Sequence, residues 1–414
     1  MTKTHKPTSL LFSLLALCSC QINKDSQQNY PYEMPETKPE FELSEAMNRV
    51  YDQFGSPTPQ ENELYTTFQY TPLSGLDYSN GDGTVTRRDP SRIIKVDDLY
   101  YIYYTKRHTP TTYVGAKLAN DTIPSTDWDL CDIWYATSKD GFTWEEQGVA
   151  APRPPKPQQG FRSVSTPEIL VWNDKYYLYY QAFSVMSGKR GDDCPVSVSY
   201  SDSPAGPFIP HNEIVIPNGQ AGEWDQYSIH DPHPIVYKDK IYLYYKSDYN
   251  GQPNLIRSQG LAIADNPFGP FEKHPKNPII SSGHETQMFR FKEGIASMLA
   301  KDGHENNTIQ YSPDGVNFHV ASICNFMPIA SGVYDPDAFT GVEYAKGITW
   351  GISHYNIWGD NRHSIMLRFD CDLNIEVNDP LMKQTNPSHT LEELYSRGLK
   401  PKQKERILKE VTLK

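Results

Sequence analysis

The sequence predicts an all-β fold, a five-bladed β-propeller with a short N-terminal helical segment, and three observations carry that prediction. An aromatic strand–turn–strand unit recurs along the middle of the chain, a second hairpin follows most copies, and a short polar motif opens each one. The first unit is Ile93 to Thr105 (IIKVDDLYYIYYT), with its turn at Asp97-Asp98. Ile169 to Gln181 and Ile235 to Ser247 repeat it, and Phe289 to Lys301 and Phe339 to His354 are weaker copies. The second hairpins are Trp134 to Trp144, Ser199 to Phe208, Ala262 to Phe271 and Ile309 to Phe318, each with a polar turn between apolar residues. Two hairpins per unit give about five four-stranded blades. A β-sandwich would need fewer strands and no repeat.

The ends read differently. Lys3 and Lys6, then Leu10 to Leu17 and Leu17-Cys18-Ser19-Cys20, form an export signal too short to span a membrane. Residues 1–20 are expected to be a lipoprotein-type signal peptide lipidated at Cys20, with a simple secretory signal as the alternative. Residues 21–40 look like a flexible tether. Within 41–60, residues 43–54 predict a helix capped by Ser44, with Leu43, Met47 and Val50 or Tyr51 on one face. The propeller is expected over 61–385 and a helical tail over 386–414.

Composition narrows the function. A formal net charge of -12 argues against a nucleic-acid partner. The 28 Tyr and 7 Trp suit half-exposed strands and carbohydrate-facing surfaces better than a helical core. Cys131, Cys194, Cys324 and Cys371 are too widely spaced for a zinc site, and their disulfide state is left open.

The blade-opening motifs are Arg87-Arg88-Asp89-Pro90, Ser165-Thr166-Pro167-Glu168, His230-Asp231-Pro232-His233, Gly283-His284-Glu285-Thr286 and Tyr334-Asp335-Pro336-Asp337. In a propeller such positions converge at one mouth of the central channel. One Asp-Pro pair is usually a turn opener, but three plus a Thr-Pro at equivalent places are not explained by stability, because converging carboxylates repel and lose hydration. Glycosidic hydrolysis needs such convergence, with one group to activate water and another to protonate the leaving oxygen.

The segments TRRDPS (86–91), DIWYATSKDGFTWEEQG (132–148), STPEILV (165–171), HDPHP (230–234), ISSGHET (280–286) and MLRFDCDL (366–373) resemble glycoside hydrolase family 117 over residues 40–380. That resemblance implies an exo-acting, inverting hydrolase releasing 3,6-anhydro-L-galactose from the non-reducing end of neoagaro-oligosaccharides, and a homodimer exchanging its N-terminal helical segment. It implies Asp89 as general base, Asp231 as the second essential carboxylate and His284 as general acid, with Glu285 the rival. An imidazolium beside carboxylates stays protonated, and strand alternation should let only one of His284 and Glu285 face the channel. Trp134, Thr166, Glu168, Gln181 and His230 match sugar-binding positions, with blade-core packing the alternative for Trp134. No cofactor is required, and the metal question stays open with a divalent cation allowed. The expected partner is an oligosaccharide, and the expected location is periplasmic or outer-membrane-attached, with membrane contact only through the lipid anchor. The alternatives are another red-algal galactan oligosaccharide, an arabinofuranosidase- or xylosidase-like activity, and a non-catalytic carbohydrate-binding propeller.

Overall fold

A computed structural model of the chain describes residues 37–52, 63–76, 81–188, 194–220, 223–226, 228–248, 257–303 and 305–383. The signal segment 1–20, most of the tether, the second part of 41–60 and the tail 386–414 lie outside the described residues.

Helix α1 (Glu45–Asp52) starts where Ser44 predicts, with the Met47 amide donating to Ser44 Oγ at 3.3 Å. After it comes strand β1 (Gln69–Pro72). Blade 1 holds β2 (Val85–Arg88), β3 (Ile94–Val96), β4 (Leu99–His108), β5 (Cys131–Ser138) and β6 (Trp144–Ala151). Blade 2 holds β7 (Ser163–Trp172), β8 (Lys175–Phe183), β9 (Val196–Ser201) and β10 (Ile209–Ile216). Blade 3 is β11 (Ser228–Tyr237), β12 (Lys240–Asp248), β13 (Ser258–Ala264) and β14 (Glu272–Lys273). Blade 4 is β15 (His284–Phe291), β16 (Gly294–Lys301), β17 (Thr308–Ser312) and β18 (His319–Ile323). Blade 5 contains β19 (Gly332–Val333), β20 (Gly347–Ile357) and β21 (His363–Asn374), and β1 completes it by pairing with β21, from Gln69 opposite Asp370 to Pro72 opposite Leu367. The first strand of the sheet region thus supplies the outer strand of the last blade and closes the ring.

Five buried clusters fill the five seams between blades, and the Tyr-Tyr doublets explain how. Consecutive strand residues point to opposite faces, and each blade is covered on both faces by a neighbour, so both members of a doublet must be apolar in body. Tyr103 enters the seam between blades 1 and 2, and Tyr104 the seam between blades 5 and 1. Tyr179 and Tyr180 split in the same way around blade 2, as do Tyr244 and Tyr245 around blade 3. Three of the seams also satisfy a phenol. Tyr103 Oη donates to the Pro204 carbonyl, Tyr179 Oη to Pro267 at 2.7 Å and Tyr244 Oη to Gly315 at 2.8 Å, always on the next blade. Much of the tyrosine content is therefore inter-blade core rather than half-exposed surface.

Helix α1 lies across blades 3 and 4 of its own chain. Leu43 and Met47 join the blade 2–3 core, with Val50 and Tyr51 packed beside them. Arg49, buried, pairs with the fully buried Glu305 at 2.9 Å and donates to the Phe318 carbonyl at 2.6 Å. Cys131, Cys194, Cys324 and Cys371 are free and buried. The weak copy from Phe339 to His354 does not form a strand pair. Asp335 Oδ1 accepts from the Asp337 amide at 3.1 Å and starts a run of turns, so the inner strand of blade 5 is only Gly332–Val333.

Candidate active site

Four blade-opening motifs place their leading residue in the same unusual conformation. Asp89, Thr166, Asp231 and Glu285 have φ of 47°, 49°, 51° and 61°. For a residue with a side chain this left-handed geometry costs about 1–3 kcal/mol and concentrates at functional sites. In blades 2 and 3 the strand ladder slips at that point, between Ser165 and Glu168 and between His230 and His233, and in blade 1 it breaks between β2 and β3. Such bulges re-aim side chains. All four residues reach one cavity of about 110 Å³, with Arg88, Trp128, Gln181, His230, Lys246, Arg257 and His284 completing its wall.

Asp89 is the most constrained group. Arg88 grips both its oxygens, Nε on Oδ2 at 2.8 Å and Nη2 on Oδ1 at 3.1 Å. His354 Nδ1 lies 3.1 Å from Oδ1, and Thr166 Oγ1 donates to Oδ2 at 3.4 Å. Burial alone would raise this carboxyl, but Arg88 and His354 outweigh it and hold it well below the usual range, so it stays an anion.

Asp231 faces Lys246 Nζ at 2.7 Å. Burial opposes its ionisation, yet Lys246 and then His230 bring its pKa below the ordinary 3.8. A carboxyl depressed on folding contributes stability that is full above its unfolded value and is lost as pH falls through the folded one. Lys246→Met removes the main depressing charge and leaves the mostly buried Asp231 with only His230 and His233 to favour its anion. The expected result is a loss of about 3 kcal/mol at pH 7 and an acid-unfolding midpoint shifted to higher pH, read by circular dichroism.

Both members of the His284–Glu285 pair reach the cavity, against the alternation expected of a strand, because the left-handed φ at Glu285 breaks the pleat. His284 Nε2 stands 3.4 Å from Glu285 Oε1, and Nδ1 lies 3.3 Å from Arg257 and 3.7 Å from Asp302. The expectation of a standing imidazolium is not met. Burial, reinforced by Lys246, Arg257 and Lys301, pushes the His284 pKa well below 6.5.

Thr166, Gln181 and His230 line the cavity as well. Glu168 and Trp134 do not. Glu168 sits beneath it in a buried floor, where its Oε1 accepts from the Arg92 amide at 2.7 Å and its Oε2 lies 3.4 Å from His233 Nδ1. Arg92 carries the floor onward to Asp335 at 3.1 Å and to the Met288 carbonyl at 2.9 Å, so side chains or backbone of all five blades meet there. Asp335, whose motif was expected at the mouth, belongs to this floor. Trp134 lies on β5, a strand removed from the axis, with Lys106 Nζ 3.5 Å from its ring centre. Arg87 turns away to Glu146 at 2.8 Å.

Sequence reasoning missed Lys246, Arg257 and Trp128. A signal existed for Lys246, since Leu-Tyr-Tyr-Lys (243–246) occupies the repeat position of Leu-Tyr-Tyr-Gln (178–181). Trp128 and Arg257 sit on segments without a repeat. Asp89, Glu285 and His354 offer donor atoms within 4.8 Å of one another, and His354 Nε2 is buried without a hydrogen-bond partner. Two carboxylates and an imidazole suit a divalent cation, which here would compete with Arg88 for Asp89.

Comparisons with known proteins agree with this fold. The profile of Glycosyl hydrolases family 43 matches residues 84–261. No curated protein matches the chain. A solved structure described only as a glycoside hydrolase is 13% identical with a TM-score of 0.52, over 78% of this chain and 95% of its own, a likeness of fold alone. A family 117 glycoside hydrolase produced by the marine bacterium Zobellia galactanivorans is 56% identical with a TM-score of 0.75, over 81% of this chain and 99% of its own. At that identity and coverage, the chain belongs to glycoside hydrolase family 117.

Proposed function

We propose that this glycoside hydrolase removes a terminal 3,6-anhydro-L-galactose from neoagaro-oligosaccharides with inversion at the anomeric carbon. The observation that carries the reading is the meeting of Asp89, Asp231 and His284, from three separate blades, in one small cavity. Asp89 takes the proton from the attacking water, and the water oxygen bonds to the anomeric carbon as the glycosidic bond breaks. Asp231, neutralised by Lys246, accepts hydrogen bonds from the sugar hydroxyls. The leaving oxygen is protonated from the His284–Glu285 pair. The nearest donor atoms of Asp89 and Glu285 lie within 4.8 Å. An inverting carboxylate pair keeps roughly 6.5–9.5 Å. That shortfall favours His284 as the donor: its ring takes up a proton from solvent as substrate binds, Glu285 at 3.4 Å from Nε2 steadies the imidazolium, and the proton passes to the leaving oxygen. The reading extends to a lipoprotein anchored at Cys20 and a homodimer exchanging residues 41–60, whose helix face already has a matching seat on a propeller.

The test is incubation of residues 21–414 with neoagarobiose and a panel of red-algal galactan oligosaccharides, with released monosaccharide read by chromatography. Release of 3,6-anhydro-L-galactose, first as the inverted anomer by NMR, is the expected result. Cleavage of only a different oligosaccharide would keep the chemistry and move the substrate.

A further inference from the structure

We propose that Phe326, Tyr355 and Trp358 form a stacking platform on the mouth rim for the sugars of an oligosaccharide that lie beyond the cavity. This rests on the glycosidase reading of the same site. The three side chains are 82%, 51% and 76% exposed, in a chain that otherwise buries most of its large aromatics between blades. Their place in the fold ties them to the cavity. Strand β20 rises past His354, which touches Asp89, and Tyr355 is the next residue; Trp358 follows the strand's end at Ile357. The segment carrying Phe326 runs alongside, because the Ile329 amide donates to Ser353 Oγ at 3.0 Å and the His354 amide to the Ile329 carbonyl at 3.3 Å. Tyr70 Oη donates to the Phe326 carbonyl and fixes that segment against blade 5.

The chemistry of the site points the chain in this direction. A cavity of about 110 Å³ holds no more than a terminal ring, so the rest of a longer substrate crosses the rim. The leaving sugar departs from the group that protonates its oxygen, and His284 and Glu285 belong to blade 4, beside the segment that links blade 4 to blade 5. On the blade 1 side, residues 109–129 wall the loop that carries Trp358, with Thr112 Oγ1 donating to the Arg362 carbonyl at 2.8 Å and Arg362 Nη2 to the Tyr113 carbonyl at 2.9 Å. Asp127 anchors that wall to Arg107 at 3.1 Å and to Ser364 at 2.6 Å, and Asp129 anchors it to Arg162 at 2.6 Å. Exposed aromatic rings present flat apolar faces that match the C–H faces of sugars, while sugar hydroxyls remain in water.

The experiment measures kcat/KM on a di-, tetra- and hexasaccharide series for the wild type, Trp358→Ala and Phe326→Ala. The wild type is expected to gain about tenfold with length, the size of one stacking contact, and the variants to lose that gain while matching the wild type on the disaccharide. Equal kcat/KM at all lengths in the wild type, or an equal loss at all lengths in the variants, overturns the platform. Calorimetric binding of the same series to Asp89→Asn separates the two readings. Length-dependent binding that needs Trp358, with no hydrolysis in any assay of the wild type, keeps the platform and rejects the hydrolase. A change in sedimentation with no change in length dependence makes the patch a contact between chains and rejects the platform.

Discussion

Asp89→Asn is expected to lower kcat/KM by about three orders of magnitude while leaving oligosaccharide affinity within about threefold. The substitution keeps the shape of the side chain and removes its basicity. The amide oxygen can still accept from Arg88 and Thr166, and Arg88 retains Asp127 at 3.7 Å as a second carboxylate, so the cavity wall has partners on both sides of the change. The lost property is the ability to take a proton from water. Burial raises the Asp89 carboxyl and Arg88 and His354 lower it further than burial lifts it, so wild-type Asp89 stays ionised through the range in which glycosidases work. Isothermal calorimetry and single-turnover kinetics on the same preparation check both halves. A fall of less than about tenfold would remove Asp89 from the base role. Unchanged binding in a wild type that shows no hydrolysis of any substrate would instead favour a carbohydrate-binding propeller.

The same residues show what a single sequence can convey. The repeat was legible because it obeys a packing rule: every blade is covered on both faces, so paired tyrosines recur at Tyr103-Tyr104, Tyr179-Tyr180 and Tyr244-Tyr245. Strand β1 was not legible, because Gln69–Pro72 carries no repeat and becomes a strand only when blade 5 offers its edge. The leading residues of the blades were legible as a set, and Asp89, Thr166, Asp231, His284 and Glu285 do share one cavity. Their orientations were not. Strand alternation assigns Glu168 to the side of Thr166, yet the bulge between them sends Glu168 into the floor under Arg92. Alternation also separates His284 from Glu285, and a single left-handed residue brings both to the cavity. The protonation of His284 was out of reach for a further reason. The burial that lowers its pKa, and the charges on Lys246, Arg257 and Lys301 that add to it, come from a convergence of strand ends and loops that is a property of the fold.

That convergence makes the acid the sharpest remaining test. His284→Gln is expected to lower kcat/KM on a natural oligosaccharide by about two to three orders of magnitude, and Glu285→Gln by about one. The two losses should differ in kind. A variant lacking the proton donor recovers when the leaving group needs no proton, so His284→Gln should come back to within about tenfold of wild type on an aryl glycoside with a nitrophenolate leaving group. Glu285→Gln should show no such recovery difference between substrates, because Glu285 acts on the ring of His284, 3.4 Å from Nε2, rather than on the leaving oxygen. It should also change the pH profile. The free-site imidazole lies well below its ordinary 6.5, and removing an anion from beside it lowers it further, so the alkaline limb of kcat/KM moves to lower pH in Glu285→Gln. If recovery on the activated substrate appears in Glu285→Gln and not in His284→Gln, the roles are exchanged: the carboxyl is the donor, and the histidine holds it in place.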